Sequence, residues 1–445
     1  MKYTVIGAAK SGISAAKLAK RKGFEVFVSE SKSADAFPDE IKLLTELGID
    51  YEFGGNTAKA LDGTDCIVTS PGVPRTIQLF KDAAELNIPI ISELEFGRSF
   101  IPNQKLIAIT GTNGKTTTTT LITYMFNRAG ITAHSAGNIG TPISELVDNI
   151  APDDVIVAEL SSFQLDRIKD FRPDVGIILN ISPDHLYYHF TFEDYKETKF
   201  KICMNQTEND YLVLNADDGE TAADFARTEG KILQFSMNPV EYGVYNRDGK
   251  MCVRLPNMEK EEEIMLLEEI LLPGVHNAYN SMAAALAARV FEIRNENIRD
   301  SLMAFEGVEH RLEFVRSIDG VDFVNDSKAT NINATWYALS SYKRPLVWIA
   351  GGRGDNNDYS ALDSLVKKNV KAIIAIGDET EAIFNHYCTM VRVIKADNME
   401  SAVALAKEQA EADDIVLFTP ACKSFDWFLN YEHRGEVFKE IVNSL

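Results

Sequence analysis

Long apolar runs are missing from this 445-residue chain. No stretch approaches the roughly 18–20 consecutive apolar residues that span a bilayer as a helix, so no membrane partner is expected. Cysteine is scarce. Cys66, Cys203, Cys252, Cys388 and Cys422 are far apart and odd in number, with no C-x-x-C pair. That pattern offers neither a disulfide framework nor a zinc site, and a reducing cytoplasm fits it best. Positive charge is also short: 45 Lys and Arg stand against 66 Asp and Glu, for a net charge of −21. Nucleic-acid binding wants a basic face, so no nucleic-acid partner is expected. The opening "MKYTVIGAAKSG" enters a strand pattern directly and shows no small-residue cleavage site.

What the chain does have is the composition of an ordinary globular protein, 45% hydrophobic and 25% charged residues. Its length calls for two or three domains. The first ninety-odd residues alternate "YTVIG", the helical "SGISAAKLAKRKG", then "EVFVSE", "DCIVTS" and "IPIIS". Repeated strand–helix units predict a parallel sheet with helices on both faces. The stretch 96–105, "FGRSFIPNQK", reads as a linker. A second block runs to about residue 306, with "VIVAEL" and "VGIILNIS" as strands and 276–293 as a helix. Within it "MEKEEEIMLLEE" reads as a solvated hairpin or helix without chemistry. A third block, from 307, alternates again through "VDFVND", "LVWIAGG", "AIIAIGD", "VRVIKA" and "DIVLFTPA". The expected fold is α/β in three domains, 1–95, 96–306 and 307–445. The outer two are Rossmann-like, and the central one is a P-loop-type ATP-binding domain with a mostly parallel sheet.

Two turns could hold phosphates. "GAAKSG" resembles the dinucleotide fingerprint G-x-G-x-x-G, with Gly7 and Gly12 in place but Ala9 at the middle position. That glycine lets the backbone approach a pyrophosphate, so its loss weakens a nicotinamide reading and still permits a nucleotide at the helix N-terminus. Glu30 ends the second strand, where an acidic residue commonly holds ribose hydroxyls. The stretch "LIAITGTNGKTTTTTLITYMF" is strand, glycine turn, helix. The usual spacing G-x-x-x-x-G-K-[ST] fails, because Ile109 stands where the first glycine belongs. The context still aims backbone N–H groups at an anion, with Lys115 on the outer phosphates and Thr116 placed for magnesium. Five threonines in a row serve no helix propensity.

Glu159 ends one buried strand and His185 follows another. Ligands of parallel sheets gather at strand carboxyl ends, so both should lie near the lysine loop and suit a hydrated magnesium ion. "YKETKFKI" (195–202) reads by itself as a solvated helical face. "VNDSKATN" (324–331) and "FTPACKSFDWFLNYEHRG" (418–435) are polar loops directly after apolar strands. Cys422 has no histidine near it in sequence and reads as a core or loop thiol rather than a nucleophile.

Taken in order, "GTNGKTT", "GNIGTP", "AELSSFQLD", "NISPDH", "HNAYN", "EHRLE", "NDSKATN" and "TPACKSFDWFLNYEHRG" resemble the ATP-dependent Mur ligases of peptidoglycan synthesis over essentially the whole chain. The last two motifs look like those of its D-glutamate-adding branch. In that family the phosphate loop lacks the distal glycine.

The resemblance implies an amide ligase, working through an acyl phosphate on UDP-N-acetylmuramoyl-L-alanine, D-glutamate and ATP. It implies two magnesium ions and a monomer. By motif, Gly111, Thr112, Asn113, Gly114, Lys115, Thr116 and Thr117 would hold the phosphates, and Asn277, Asn280, Arg311 and Asp326 would contact ATP. Thr116, Glu159, His185 and Lys199 would bind metal, the last as a carbamylated lysine. Lys115, His185 and Lys199 would be catalytic. Ser11, Glu30, Ser31, Lys32, Ser70 and Asn138 would hold the UDP-sugar. Lys328, Thr330, Ser424 and Phe425 would line the D-glutamate site.

Two places depart from the family pattern. Tyr187 and Tyr188 stand where an Asp-Arg pair is usual, and "GGRGDNNDY" (351–359) replaces a loop like G-G-x-D-K-G. Arg353 is the basic residue there and is expected either to take a substrate carboxylate or to point to water. Three other readings remain open: a ligase of the same fold adding a different amino acid, a nicotinamide dehydrogenase built on the first domain, and a nucleotide-binding regulator without catalysis.

Overall fold

The structure, a computed structural model, describes residues 1–222, 227–355 and 357–445. Among the described residues there are three sheets. The first joins β1 (Lys2–Ile6), β2 (Glu25–Glu30), β3 (Asp50–Phe53), β4 (Cys66–Thr69) and β5 (Ile90–Ser92) in the order β3-β2-β1-β4-β5, all parallel. The chain reverses direction of winding between β1 and β4, and such switch points open a crevice at the strand carboxyl ends.

The second sheet has nine strands: β6 (Lys105–Thr110), β7 (Ala133–Gly137), β8 (Val155–Glu159), β9 (Val175–Ile178), β10 (Tyr211–Asn215), β11 (Lys231–Ser236), β12 (Gly243–Arg247), β13 (Lys250–Arg254) and β14 (Glu262–Leu266). Their order is β14-β13-β12-β11-β10-β9-β6-β8-β7. All pairs are parallel except β12–β13 and β13–β14. The acidic stretch 258–269 therefore resolves into a hairpin strand, with Ile264 and Met265 buried beneath its glutamates. The third sheet runs β15 (Glu313–Ile318), β16 (Val321–Asn325), β20 (Ile415–Phe418), β17 (Leu346–Gly351), β18 (Val370–Ile376), β19 (Arg392–Lys395), parallel apart from the β15–β16 hairpin. The strands buried on both faces read as unbroken apolar runs, as parallel sheets require.

The chain forms two compact units, residues 1–269 with 279–303, and 270–278 with 304–445. Within the first, residues 96–98 of the expected linker 96–105 lie in a helix. Ser92 caps a helix, Glu93–Arg98, whose first five residues are buried. Glu95 accepts the backbone N–H groups of Lys169, Asp170 and Phe171 at 2.9–3.0 Å, and Glu93 accepts that of Ser144 at 2.8 Å. The segment is an anchor to the second sheet, and only residues 99–104 are left to connect. No helix among the described residues is long and apolar enough to cross a membrane.

Candidate active site

The register β8-β6-β9 sets Glu159 opposite Ile109 and Ile178 opposite Thr110. The loops after these three strands therefore open at one edge. After β6, Gly111 (φ 147°) and Gly114 (φ 85°) take conformations that side chains rarely adopt, and the helix Lys115–Arg128 starts at once. A Cβ on Gly111 would lie 3.1 Å from that of Leu179. The turn is bolted to the chain after β9. Thr112 N–H donates to Asn180 O and Asn113 N–H to Asn180 Oδ1, each at 2.9 Å, and Ser182 N–H donates to Thr112 Oγ1 at 3.0 Å. Asn180 was not singled out in the sequence, although it opens the "NISPDH" motif.

Lys115 Nζ donates to the carbonyls of Gly111 and Thr112, both at 2.9 Å. Thr116 is 6% exposed beside it. Glu159 is 2% exposed; its Oε1 accepts from Asn138 Nδ2 at 2.7 Å, and its Oε2 is buried without a hydrogen-bond partner. A buried carboxylate oxygen left unpaired is costly and is what a cation ligand looks like before the cation is counted. These donors fit magnesium, which prefers hard oxygen ligands. His185 (φ 52°) lies over the Phe163 ring, centroids 4.9 Å apart, with Nε2 3.6 Å from Asp184.

Lys199 is not on a solvated face. It is 1% exposed, its Nζ donates to Gly111 O at 2.8 Å, and it lies 4.5 Å from the Tyr195 ring centroid. Burial, with Lys115 adding to it, holds its ammonium well below the usual lysine range. The apolar period failed here because the helix Phe192–Phe200 is buried on several sides.

In the first sheet, the Gly7–Gly12 turn is tight: a Cβ on Gly12 would lie 1.9 Å from Gly7 O. A cavity of about 260 Å³ opens there, lined by Lys10, Ser11, Ser70, Asn138 and Gln164 among others. It unites three of the expected sugar residues, and Asn138 links it directly to Glu159. Glu30, Ser31 and Lys32 do not line it. Glu30 spends its carboxylate on the backbone N–H groups of Ala8 (2.8 Å) and Lys32 (2.9 Å), which orders both turns.

Arg75 was missed. It donates twice to Asp166 at 2.7 and 2.8 Å, again to Asp194, and at 3.1 Å meets Nδ1 of His189. Its guanidinium lies over Tyr188, 5.0 Å from the ring centroid. Tyr188 is thus buried packing, whereas Tyr187 is exposed.

In the second unit, Asp326 is buried and accepts from Thr419 Oγ1 at 2.9 Å; burial pushes its carboxyl up to about 6, against the pull of Arg311. Arg311 keeps its Nε buried without a hydrogen-bond partner. Asn277 Nδ2 donates to Pro273 O at 2.8 Å; in the first unit, a Cβ on Gly114 would lie 2.3 Å from Asn280 Oδ1. Lys328 lies over the Tyr431 ring at 5.3 Å, Thr330 is half-buried and Ser424 is buried. Phe425 is 60% exposed. Arg353 is exposed, and Asp355 pairs instead with Lys423 at 2.8 Å. Asn356 of this loop lies outside the described residues. Cys422 is buried against Asn357 and Tyr359, and burial pushes its thiol up to about 11, which suits a packing role.

Three family models match in order: "Mur ligase MurD-like, N-terminal domain" at 1–92, "Mur ligase middle domain" at 109–288 and "Mur ligase, glutamate ligase domain" at 310–422. The UDP-N-acetylmuramoylalanine--D-glutamate ligase of Salinibacter ruber is 44% identical, covering 99% of this chain and 97% of that protein. The enzyme of the same name from Chloroherpeton thalassium is 41% identical over the same shares. Among solved structures, MurF ligase of Thermotoga maritima in complex with ADP superposes with a TM-score of 0.61 at 16% identity, covering 94% of this chain and 95% of that one. MurC of the same organism gives 0.60 at 18%, covering 100% and 99%. These two speak to the fold. The three family models and the full-length identity show that the chain belongs to the Mur ligase family, on its MurD-like branch.

Proposed function

We propose that this chain is an ATP-dependent ligase that joins D-glutamate to UDP-N-acetylmuramoyl-L-alanine in peptidoglycan precursor synthesis. Full-length identity above 40% to enzymes of that name carries the reading. The glycine turn with Lys115, set beside the unpaired carboxylate oxygen of Glu159, supports it. We assign residues 1–95 to the UDP-sugar, 96–306 to ATP and 307–445 to the amino acid. A monomer in the cytoplasm accords with this reading.

A carboxylate is a poor electrophile. Its oxygen attacks the γ-phosphorus of ATP, ADP leaves, and an acyl phosphate forms. The amine of D-glutamate then attacks the acyl carbon through a tetrahedral intermediate. Phosphate leaves with the C–O bonding pair, and the amine gives up a proton. Little covalent work is asked of the protein, so catalysis is positioning and charge neutralisation. The turn 111–117 aims N–H groups and Lys115 at the phosphates. Asn277, Asn280, Arg311 and Asp326 take the rest of ATP. Thr116, Glu159 and His185 would hold magnesium, two ions in all, which supplies positive charge against the phosphate oxygens. Ser11, Ser70 and Asn138 take the UDP-sugar, with Glu30, Ser31 and Lys32 shaping its turn.

Lys199 is assigned as a carbamate. A buried amine that is hard to protonate is nucleophilic: Nζ attacks carbon dioxide, a proton leaves, and an anion stands beside the candidate metal ligands in place of a neutral amine. Lys328, Thr330 and Ser424 take D-glutamate. Arg353 is assigned to its second carboxylate. Lys423, held by Asp355 at 2.8 Å, is the competing donor. Phosphate release with UDP-N-acetylmuramoyl-L-alanine, ATP, magnesium and a panel of amino acids tests the reading. Turnover with D-glutamate is expected. Turnover only with another amino acid would move the chain to a different specificity.

A further inference from the structure

The motif "NYEHRG" (430–435) opens the last helix and carries Arg434. Arg434 is among the largest fully buried side chains, 1% exposed. A buried guanidinium normally meets a carboxylate. This one does not: its hydrogen bonds go to neutral oxygens. Nε donates to Ser327 Oγ at 3.0 Å, Nη2 to Ser327 O at 2.7 Å, and Nη1 to Cys422 O at 3.0 Å. A third loop closes over the same group. A Cβ on Gly352 would lie 3.1 Å from Arg434 Nη1 and 2.5 Å from Lys423 O. Arg353 and Lys423 then exchange two backbone hydrogen bonds, 2.8 and 3.0 Å.

These contacts have a common geometry. Ser327 precedes Lys328 in the loop after β16, Cys422 precedes Lys423 and Ser424 in the loop after β20, and Gly352 precedes Arg353 after β17. The three strands are neighbours, in the order β16-β20-β17. One planar fork therefore ties together the loops at the carboxyl ends of β16 and β20, and the loop after β17 is held to the second of these by the Arg353–Lys423 backbone pair; each loop carries a candidate ligand for the amino acid. Burial lowers the guanidinium to about 10, with Asp426 opposing, so it remains charged at neutral pH. Gly435 belongs to the same device: a Cβ there would lie 2.2 Å from His310 Nδ1, so the helix Tyr431–Ser444 can seat Arg434 only with glycine next to it.

We propose that Arg434 is the positioning residue of the amino-acid site: it clamps the loops after β16 and β20, the second of which carries the backbone-paired loop after β17, and so sets the spacing of Lys328, Ser424 and the cation of the 353–423 pair. The inference rests on the ligase reading. A lysine keeps the charge but cannot make three divergent hydrogen bonds, so Arg434→Lys isolates the fork from the charge.

The test measures KM for D-glutamate, ATP and UDP-N-acetylmuramoyl-L-alanine in wild type and Arg434→Lys, with melting curves as a check of folding. The glutamate KM should rise at least tenfold and the other two stay within twofold. Ethylguanidinium added to Arg434→Ala should restore part of the glutamate-dependent rate. An unchanged glutamate KM, or an equal rise in all three with no response to ethylguanidinium, overturns the clamp. If the arginine variants do not fold, Ser327→Ala decides, since it removes one of the three acceptors. A rise in the glutamate KM alone supports the proposal, and no rise removes it. A wild type that releases no phosphate with D-glutamate would instead sink the ligase reading.

Discussion

Lys115 and Lys199 donate to the same acceptor, the carbonyl of Gly111, at 2.9 and 2.8 Å. Two ammonium groups on one oxygen repel, and Lys199 is the one deprived of water. Its charge is therefore the one that gives way. On the proposed reading the two lysines take different tasks: Lys115 faces phosphate, and Lys199 is the amine open to carbamylation.

Lys199→Ala should lose nearly all ligase activity. A small carboxylic acid such as acetate should return part of it by replacing the missing anion. Removing carbon dioxide from the wild-type enzyme should lower activity reversibly, and ¹³C-labelled carbon dioxide should give a carbamate carbon signal that the variant lacks. Full activity of Lys199→Ala without rescue would leave the lysine a packing residue.

Lys115→Ala should cut kcat by well over tenfold, a loss of more than about 1.4 kcal/mol in the transition state. Melting should move less than activity, because the Lys115 side chain is itself only half-buried. If kcat stayed within tenfold of wild type, the turn would not be the phosphate loop.

The fate of "GGRGDNNDY" separates two cations. Arg353 is exposed, whereas Lys423 is oriented by Asp355. If Arg353 takes a substrate carboxylate, Arg353→Ala raises the D-glutamate KM at least roughly tenfold, the loss of one charged hydrogen bond of about 1.5–3 kcal/mol. The KM for ATP should barely move. If Lys423 takes it, Arg353→Ala is silent and Lys423→Ala gives that rise. Asp355→Ala should also raise the KM in the second case, by freeing Lys423.

The site was legible where its logic is local. Gly111, Gly114 and Lys115 announce a turn because only glycine tolerates those angles, and Glu159 and His185 announce themselves as polar ends of apolar strands. What stayed hidden depends on residues distant in sequence. Arg75 and Asp166 are 91 residues apart, and Arg434 reaches back 107 residues to Ser327. Neither arginine has a local pattern that distinguishes it from a solvated one. Glu95 was read past for the same reason: its partners are backbone groups, which carry no residue signature. The short strands β3, β7, β10 to β13 and β15 were missed because their neighbours, more than their own periodicity, make them strands.

Arg75 should be worth more than a surface pair. It is largely buried, and its loss leaves Asp166, which is 8% exposed, only the longer contacts of Arg167, Lys201 and Tyr188. Those partners keep the cost below the roughly 3–5 kcal/mol of a wholly uncompensated buried charge. Arg75→Ala should still lower the unfolding midpoint of the first unit. Arg75→Lys should recover little, because a lysine cannot serve Asp166 bidentately. A midpoint shift no larger than that of a solvent-exposed control arginine would reduce the network to decoration.

The same network sets a pH dependence. His189 is fully buried, with Nε2 2.9 Å from Ser162 Oγ and Nδ1 facing Arg75. Burial first, and Arg75 second, push its imidazole down from 6.5 to about 4. The native state therefore refuses a proton that the unfolded chain accepts. Above pH 6.5 the ring is neutral in both states, and its contribution to stability is complete. Between pH 6.5 and 4 the unfolded state binds the extra proton, so stability falls as pH falls; below about 4 the loss is finished. Urea unfolding at pH 7.5 and pH 5, read on the first unit, should show a drop at pH 5 in wild type. His189→Gln starts less stable because it disturbs the packing, but its drop should be smaller, since glutamine does not titrate. An equal drop in both proteins would mean that other groups carry the acid sensitivity and that His189 titrates near its ordinary value.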